Sequence, residues 1–340
     1  MKFYLKLETQ SVVAEANRRI NKNRPQLVFI ILFMLLTALA ATAQNQTLQR
    51  EVAVTFDDLP ASHGNLTQMT ESNRNLLKVF LEHKIPAVGF VNEAKLYVKG
   101  ETDERIELLR MWVDAGLELG NHTFSHILID QNPLSAYKDD VIRGETVTSK
   151  LLAEKKKKLR YFRHTQLRTG PTAEYQAGLN EFLAARGYII APVTIDNQEW
   201  VFAGAYAGAK RRGDEAEMKR IGEAYIKYMD ETFDFFEKLS KDFLNYEVKQ
   251  TLLLHVNDIN GDYFEELVQM MQQRGYKFIS LEEALKDSAY KMPEAQSTRG
   301  LSWIHRWMLA KGLKLREEPR EPKWVADLHA EYLRRQQATR

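Results

Sequence analysis

The chain has 340 residues, of which 44% are hydrophobic and 28% charged, enough for one large domain or two small ones with a real core. Its formal charge of +2 arises at the N-terminus: residues 1–43 hold six Lys or Arg against two Glu, and the remainder carries 42 basic and 44 acidic residues. That balance argues against a nucleic acid or a strongly anionic surface as the main partner, and the absence of cysteine excludes disulfides, thiolate metal ligands and thiol nucleophiles.

The first element in chain order is an apolar, uncharged run, residues 27–43, that follows the basic stretch. Ala41-Thr42-Ala43 before Gln44 fits the small-x-small pattern of a signal-peptidase site. Seventeen residues also reach the lower limit of a spanning helix, so an uncleaved membrane anchor is the alternative. Either reading exports the body of the protein and confines membrane contact to the N-terminal segment. A periplasmic, secreted or envelope-associated location follows.

Beyond it, short apolar runs alternate with helical stretches. Strands are predicted at Glu51–Phe56, Ala87–Val91, Leu117–Gly120, Tyr161–Arg163, Tyr188–Thr194, Thr251–Val256 and Lys277–Ser280. Helices are predicted near 72–84, 102–115, 135–156, 172–186, 214–244 and 262–274. Such alternation implies parallel strands joined by helical crossovers. The expected fold is α/β, a distorted or incomplete (β/α) barrel with about seven parallel strands. The catalytic domain would span 44–290, with a charged helical insertion at 203–247. Residues 291–340, with Trp303, Trp307 and Trp324, read as a helical C-terminal tail packed on the barrel.

In barrels of this type the active site sits at the C-terminal ends of the strands, and the informative residues fall there. Asp57 and Asp58 close the first strand, where adjacent side chains point in different directions. Alone, such a pair reads as a turn or a helix cap. His122 and His126 follow the third strand; on a helical turn, i and i+4 imidazoles face one ion. Arg163 ends the fourth strand, Asp196 and Trp200 follow the fifth, and His255 ends the sixth. Singly these read as an ion-pair partner, a core tryptophan and a buried structural histidine. Together they supply three ligands for a metal, a spare carboxylate, a further His, an Arg and a further Asp. That set suits hydrolysis of an unactivated amide or ester by a metal-bound water.

Over roughly residues 50–285 the sequence resembles the polysaccharide deacetylase (NodB-homology) family, the carbohydrate esterases of family four. The motifs stand in the family's order: Thr55-Phe56-Asp57-Asp58, His122-x-x-x-His126, Arg163, Asp196 with Trp200 four residues on, and the apolar strand ending in His255. The resemblance implies a metal-dependent deacetylase acting on N-acetylated amino-sugar polymers or oligomers, chitin- or peptidoglycan-like. Asp58, His122 and His126 would hold a divalent metal, Zn2+ first, with Co2+, Ni2+ or Mn2+ as substitutes. Asp57 would be the base and His255 the acid, Asp196 would keep His255 charged, and Arg163 would orient Asp57. Trp200 would wall the site, and a backbone N–H near Gln166 would help hold the oxyanion. Two departures bear on substrate fit: His164-Thr165-Gln166 stands where the family has Pro and an aromatic residue, and Leu59-Pro60 where it has Gly-Pro. Two other readings stay open, a hydrolase of another amide or of O-acetyl esters and a non-catalytic carbohydrate-binding envelope protein. Nothing in the sequence names a protein partner.

Overall fold

The computed structural model describes residues 49–338, so the candidate leader lies outside the described residues. Seven strands run in chain order: β1 (Arg50–Leu59), β2 (Val88–Val91), β3 (Glu118–Asn121), β4 (Tyr161–Phe162), β5 (Ile189–Ile190), β6 (Gln250–His255) and β7 (Tyr276–Phe278). All pair in parallel in the order β5-β4-β3-β2-β1-β6, with β7 against the start of β1. The sheet curls: Ile195, five residues past β5, bridges Leu252 of β6 and brings the two edges together. The expected barrel-like sheet is present. The predicted strand Tyr188–Thr194 keeps only two ladder residues, because the chain leaves β4 there to reach β6.

Alternation along β1 divides the two faces of the sheet. Val52, Val54 and Phe56 point into the helix layer, while Ala53, Thr55 and Asp57 line the barrel. Phe56 anchors a cluster of edge-to-face rings with Phe80 of α1 (Leu66–His83), Trp112 of α2 (Thr102–Asp114) and Phe264 of α8 (Asp258–Gln273). The predicted helix 135–156 is in fact two, α3 (Leu134–Arg143) and α4 (Thr146–Glu154), broken at Gly144. A Cβ on Gly144 would lie 2.9 Å from Thr123 C and Phe124 N, so the close approach of backbone demands glycine there. The helix α5 (Ala173–Ala185) follows β4.

The charged stretch after β5 is a helix pair, α6 (Glu199–Arg212) and α7 (Glu215–Leu244), joined at Gly213 in the left-handed region. It is less solvated than its composition suggests: α6 is buried along most of its length, and α7 buries Tyr225, Tyr228, Phe233 and Phe236. After β7 come α9 (Leu281–Ala284), α10 (Trp303–Ala310) and α11 (Lys323–Ala338). Trp303 and Trp307 are buried, as a tail packed on the barrel requires, and α11 lies along α6 where Gly204 leaves room for His329. Residues 50–338 belong to one compact unit, so sheet and tail share a body. Among the described residues no helix is long and apolar enough to cross a membrane.

Candidate active site

The strand ends carry the predicted residues, and the register sets them opposite one another. Asp57 of β1 is the ladder partner of His255 of β6, so both side chains leave neighbouring strands on the inner face. Asp58, the next residue, has a φ of 69°, and the left-handed turn swings its carboxylate toward β3.

His122 follows β3 directly, and its Nδ1 lies 2.9 Å from the carbonyl oxygen of Arg163, which leaves Nε2 for the site. Nε2 lies 3.8 Å from Asp58 Oδ1, and His126 Nε2 lies 3.7 Å from that same oxygen. The expected helical turn is absent. Residues 122–126 form an irregular loop with Thr123 and His126 both at positive φ, and the imidazole centroids still approach to 5.0 Å. Asp140 of α3 shapes that loop by accepting from the Phe124 N–H through its carbonyl and from Ser125 N and Oγ through its carboxylate.

These three side chains fit a divalent ion. One ligand atom from each lies within 4.8 Å of the others, and Asp58 Oδ1 is buried without a hydrogen-bond partner. Bonds near 2.1 Å in a tetrahedron need ligand atoms about 3.4 Å apart, close to the spacing found. Burial brings both histidines down to about 4, so they are neutral, as ligands must be. Burial also opposes the charge on Asp58, but Lys95 and the neighbouring histidines outweigh it and hold the carboxyl well below its usual range. Sequence reasoning missed Lys95. Its Nζ lies 3.3 Å from Asp58 Oδ2 and donates to the backbone oxygens of Asp58 and Ala61.

Asp57 is buried with Oδ1 unpartnered. Its Oδ2 lies 3.7 Å from His122 Nε2, and its Oδ1 lies 3.9 Å from Nε of Arg163. Burial raises its pKa, with Arg163 pulling the other way. Arg163 is fully buried; it donates to Thr55 Oγ1 at 2.8 Å and stacks over Phe90 at 4.6 Å. Gly120 leaves the space that the Phe90 ring fills.

The partner of His255 corrects the sequence reading. Nδ1 pairs at 2.8 Å with Glu199, buried at the start of α6, and not with Asp196. Glu199 is itself held by Asn257 and, at 3.0 Å, by Asn260, whose amide also donates to the His255 carbonyl. Burial works against a charged imidazole, but Glu199 overcomes it and His255 rises to about 9. Asp196 accepts only from Asn197 N, and burial followed by Glu318 of the tail lifts it to about 7.

Trp200 is exposed and packs edge-on against His329 of α11, so it meets the tail. Gln166 is the exposed tip of a turn, Thr165–Leu167, whose other two residues are buried, and Gln166 and Leu167 are both at positive φ. His164, which replaces the family's proline, is buried between Phe162 and Trp303; burial brings it down to about 3.

A family model described as polysaccharide deacetylase matches residues 44–180. No curated protein sequence matches the chain. Similar solved structures include a family 4 carbohydrate esterase from Streptococcus mutans, 20% identical, with a TM-score of 0.48, over 68% of this chain and 86% of that one. Another is the family 4 carbohydrate esterase from Streptomyces lividans, 18% identical, with a TM-score of 0.44, over 69% and 95%. A third is a family 4 pseudoenzyme from Bacillus anthracis, 15% identical, with a TM-score of 0.43, over 70% and 66%. The matched stretch contains Asp57, Asp58, His122, His126 and Arg163, so over residues 44–180 the chain is similar to the polysaccharide deacetylase family.

Proposed function

We propose that this chain is an exported, metal-dependent hydrolase that removes acetyl groups from N-acetylated amino-sugar chains, releasing acetate and a free amine. The observation that carries the reading is the unpartnered, buried Asp57 carboxylate, placed between the Asp58/His122/His126 triangle and the charged His255. A structural ion site has no need of that spare carboxylate.

A divalent ion held by Asp58, His122 and His126, for which Zn2+ is the first choice, supplies an acidified water and polarisation of the acetyl carbonyl. The chain's own residues do the rest. Asp57 accepts a proton at its free oxygen as the water attacks, and Arg163 holds that carboxylate in place and offsets part of the burial that raises its pKa. His255, kept protonated by Glu199, donates from Nε2 to the departing nitrogen. The leader, if cleaved after Ala43, delivers the mature chain across the membrane.

The test is acetate release by zinc-loaded protein from chitin oligomers, peptidoglycan and acetylated xylan. Release from the first or second, lost on chelation and restored by Zn2+ or Co2+, is the expected result. Release from xylan alone would move the activity to O-acetyl esters. No release from any substrate by metal-replete protein would leave a carbohydrate-binding role instead.

A further inference from the structure

The segment between β7 and α11 reaches the turn that follows Arg163. Ser302 Oγ donates to Thr194 O at 2.7 Å, and Trp303 N donates to Val193 O at 2.7 Å, so α10 starts against the segment that joins β5 to β6. Arg306 of α10 is fully buried. One terminal nitrogen of its guanidinium donates to Leu167 O and, at 3.3 Å, to Arg299 O. The other donates at 3.1 Å to Thr169 Oγ1 and to Ala295 O. Thr169 N in turn donates to Ser297 O at 3.3 Å. The tail thus closes part of the rim around the strand ends.

The turn it grips needs a restraint. Gln166 and Leu167 have φ of 53° and 51°, a conformation that costs a non-glycine residue about 1–3 kcal/mol and persists only where the surroundings impose it. The turn contains no proline, and His164 before it has both ring nitrogens unpartnered. The restraint comes from the tail. Arg306 holds the Leu167 carbonyl, and Trp303 stacks on His164 with ring centroids 6.3 Å apart. Gly300 passes so close that a Cβ would lie 2.5 Å from Gln166 O. Burial brings Arg306 down to about 10, so it is charged at neutral pH and its bonds to these oxygens are charge-assisted.

The restrained turn presents one free donor. Leu167 N and Arg168 N donate to His164 O and Thr165 O at 3.1 Å, and Thr165 N donates to the Tyr137 hydroxyl at 3.5 Å. Among the described residues the Gln166 N–H has no acceptor. Three residues earlier, Arg163 meets His122 Nδ1 through its carbonyl and stands beside Asp57 through its guanidinium. The free N–H therefore belongs to the same strand end as the metal triangle and the base.

We infer that Arg306 is a positioning residue: it holds the Thr165–Leu167 turn in its left-handed form so that the Gln166 N–H meets the oxyanion of the reaction. The inference rests on the proposed deacetylase reading and makes the tail part of the machinery that stabilises the transition state.

The experiment uses the zinc-loaded full chain and whichever substrate of the acetate-release panel is turned over. In Arg306→Ala the Leu167 and Arg168 amides should exchange at least tenfold faster. kcat should fall at least tenfold, with KM and zinc affinity within about twofold, because an oxyanion donor acts in the transition state. Guanidinium ion, which fits the vacated space, should reverse both effects, and sodium at the same ionic strength should not. Gly300→Ala is the second variant: it leaves Arg306 and the core intact and pushes on the same turn from the exposed side, so it keeps the test open if Arg306→Ala does not fold. It should speed exchange and lower kcat alike, with no response to guanidinium. Unchanged exchange in the folded variants, or faster exchange with kcat intact, would overturn the inference, as would a loss carried by KM. If the unsubstituted protein releases no acetate, the deacetylase reading falls by that result alone, and amide exchange still decides whether Arg306 holds the turn.

Discussion

At the residue scale, proton traffic depends on two carboxylates that the sequence left hard to distinguish. Glu199, not Asp196, contacts His255, so Glu199→Gln should lower the imidazole pKa from about 9. A hydrogen bond to a charged group contributes about 1.5–3 kcal/mol, equivalent to roughly 1–2 pH units. In the proposed reaction turnover requires the protonated imidazole, so activity is lost as pH rises through its pKa, and the basic limb of kcat/KM should move down by that amount. Asp196→Asn should leave the limb nearly fixed. A pH–kcat/KM series on both variants decides the matter, and the opposite pattern would restore Asp196. The adjacent aspartates should also separate. Asp57→Asn should cost about 10²–10⁴ in turnover with zinc still bound, because it removes only the base. Asp58→Asn should weaken zinc binding at least tenfold by competitive chelation. The three ligands were legible because their types and order suffice to name them. Glu199 was not, since the first acid in a helical turn is ordinarily read as complementing the helix dipole. Only the folded chain shows it beneath His255.

At the element scale, the strands were legible because a strand buried on both faces shows as an unbroken apolar run, and β1, β2, β3 and β6 each lie within three residues of expectation at either end. The loop of His122 and His126 was not, because its shape comes from elsewhere in the chain. The break between α3 and α4 exists to serve it: Gly144 brings that corner against Thr123 and Phe124, and Asp140 one turn earlier caps Ser125. Gly144→Ala must push the loop or the corner aside, at a cost of about 1–3 kcal/mol. The expected outcome is a lowered Tm together with zinc affinity at least tenfold weaker. A variant destabilised to that extent but with unchanged zinc affinity would show that the corner supports only the fold.

At the scale of the whole molecule, the chain has no disulfides, and the proposed metal would add to the stability that the core and the tail supply. Zinc at a hundred times its Kd should add about 2.7 kcal/mol, because the unfolded chain holds no triangle of ligands. For a chain of this size that is a rise of about 4 °C in Tm, absent in Asp58→Asn, and a thermal melt with and without chelator reads it directly. The tail's helical character and its packing were legible from its tryptophans. Its grip on the catalytic end was not, because Arg306 and Ser302 resemble ordinary surface residues until their partners are known. That grip also sets an order of assembly in time. Synthesis runs from the N-terminus, and the groups that seal the rim lie some fifty residues beyond His255, the last of the catalytic set. A nascent chain therefore holds Asp57, Asp58, His122, His126, Arg163, Glu199 and His255 before it holds a finished rim, and the closing of that rim is the last step of its assembly.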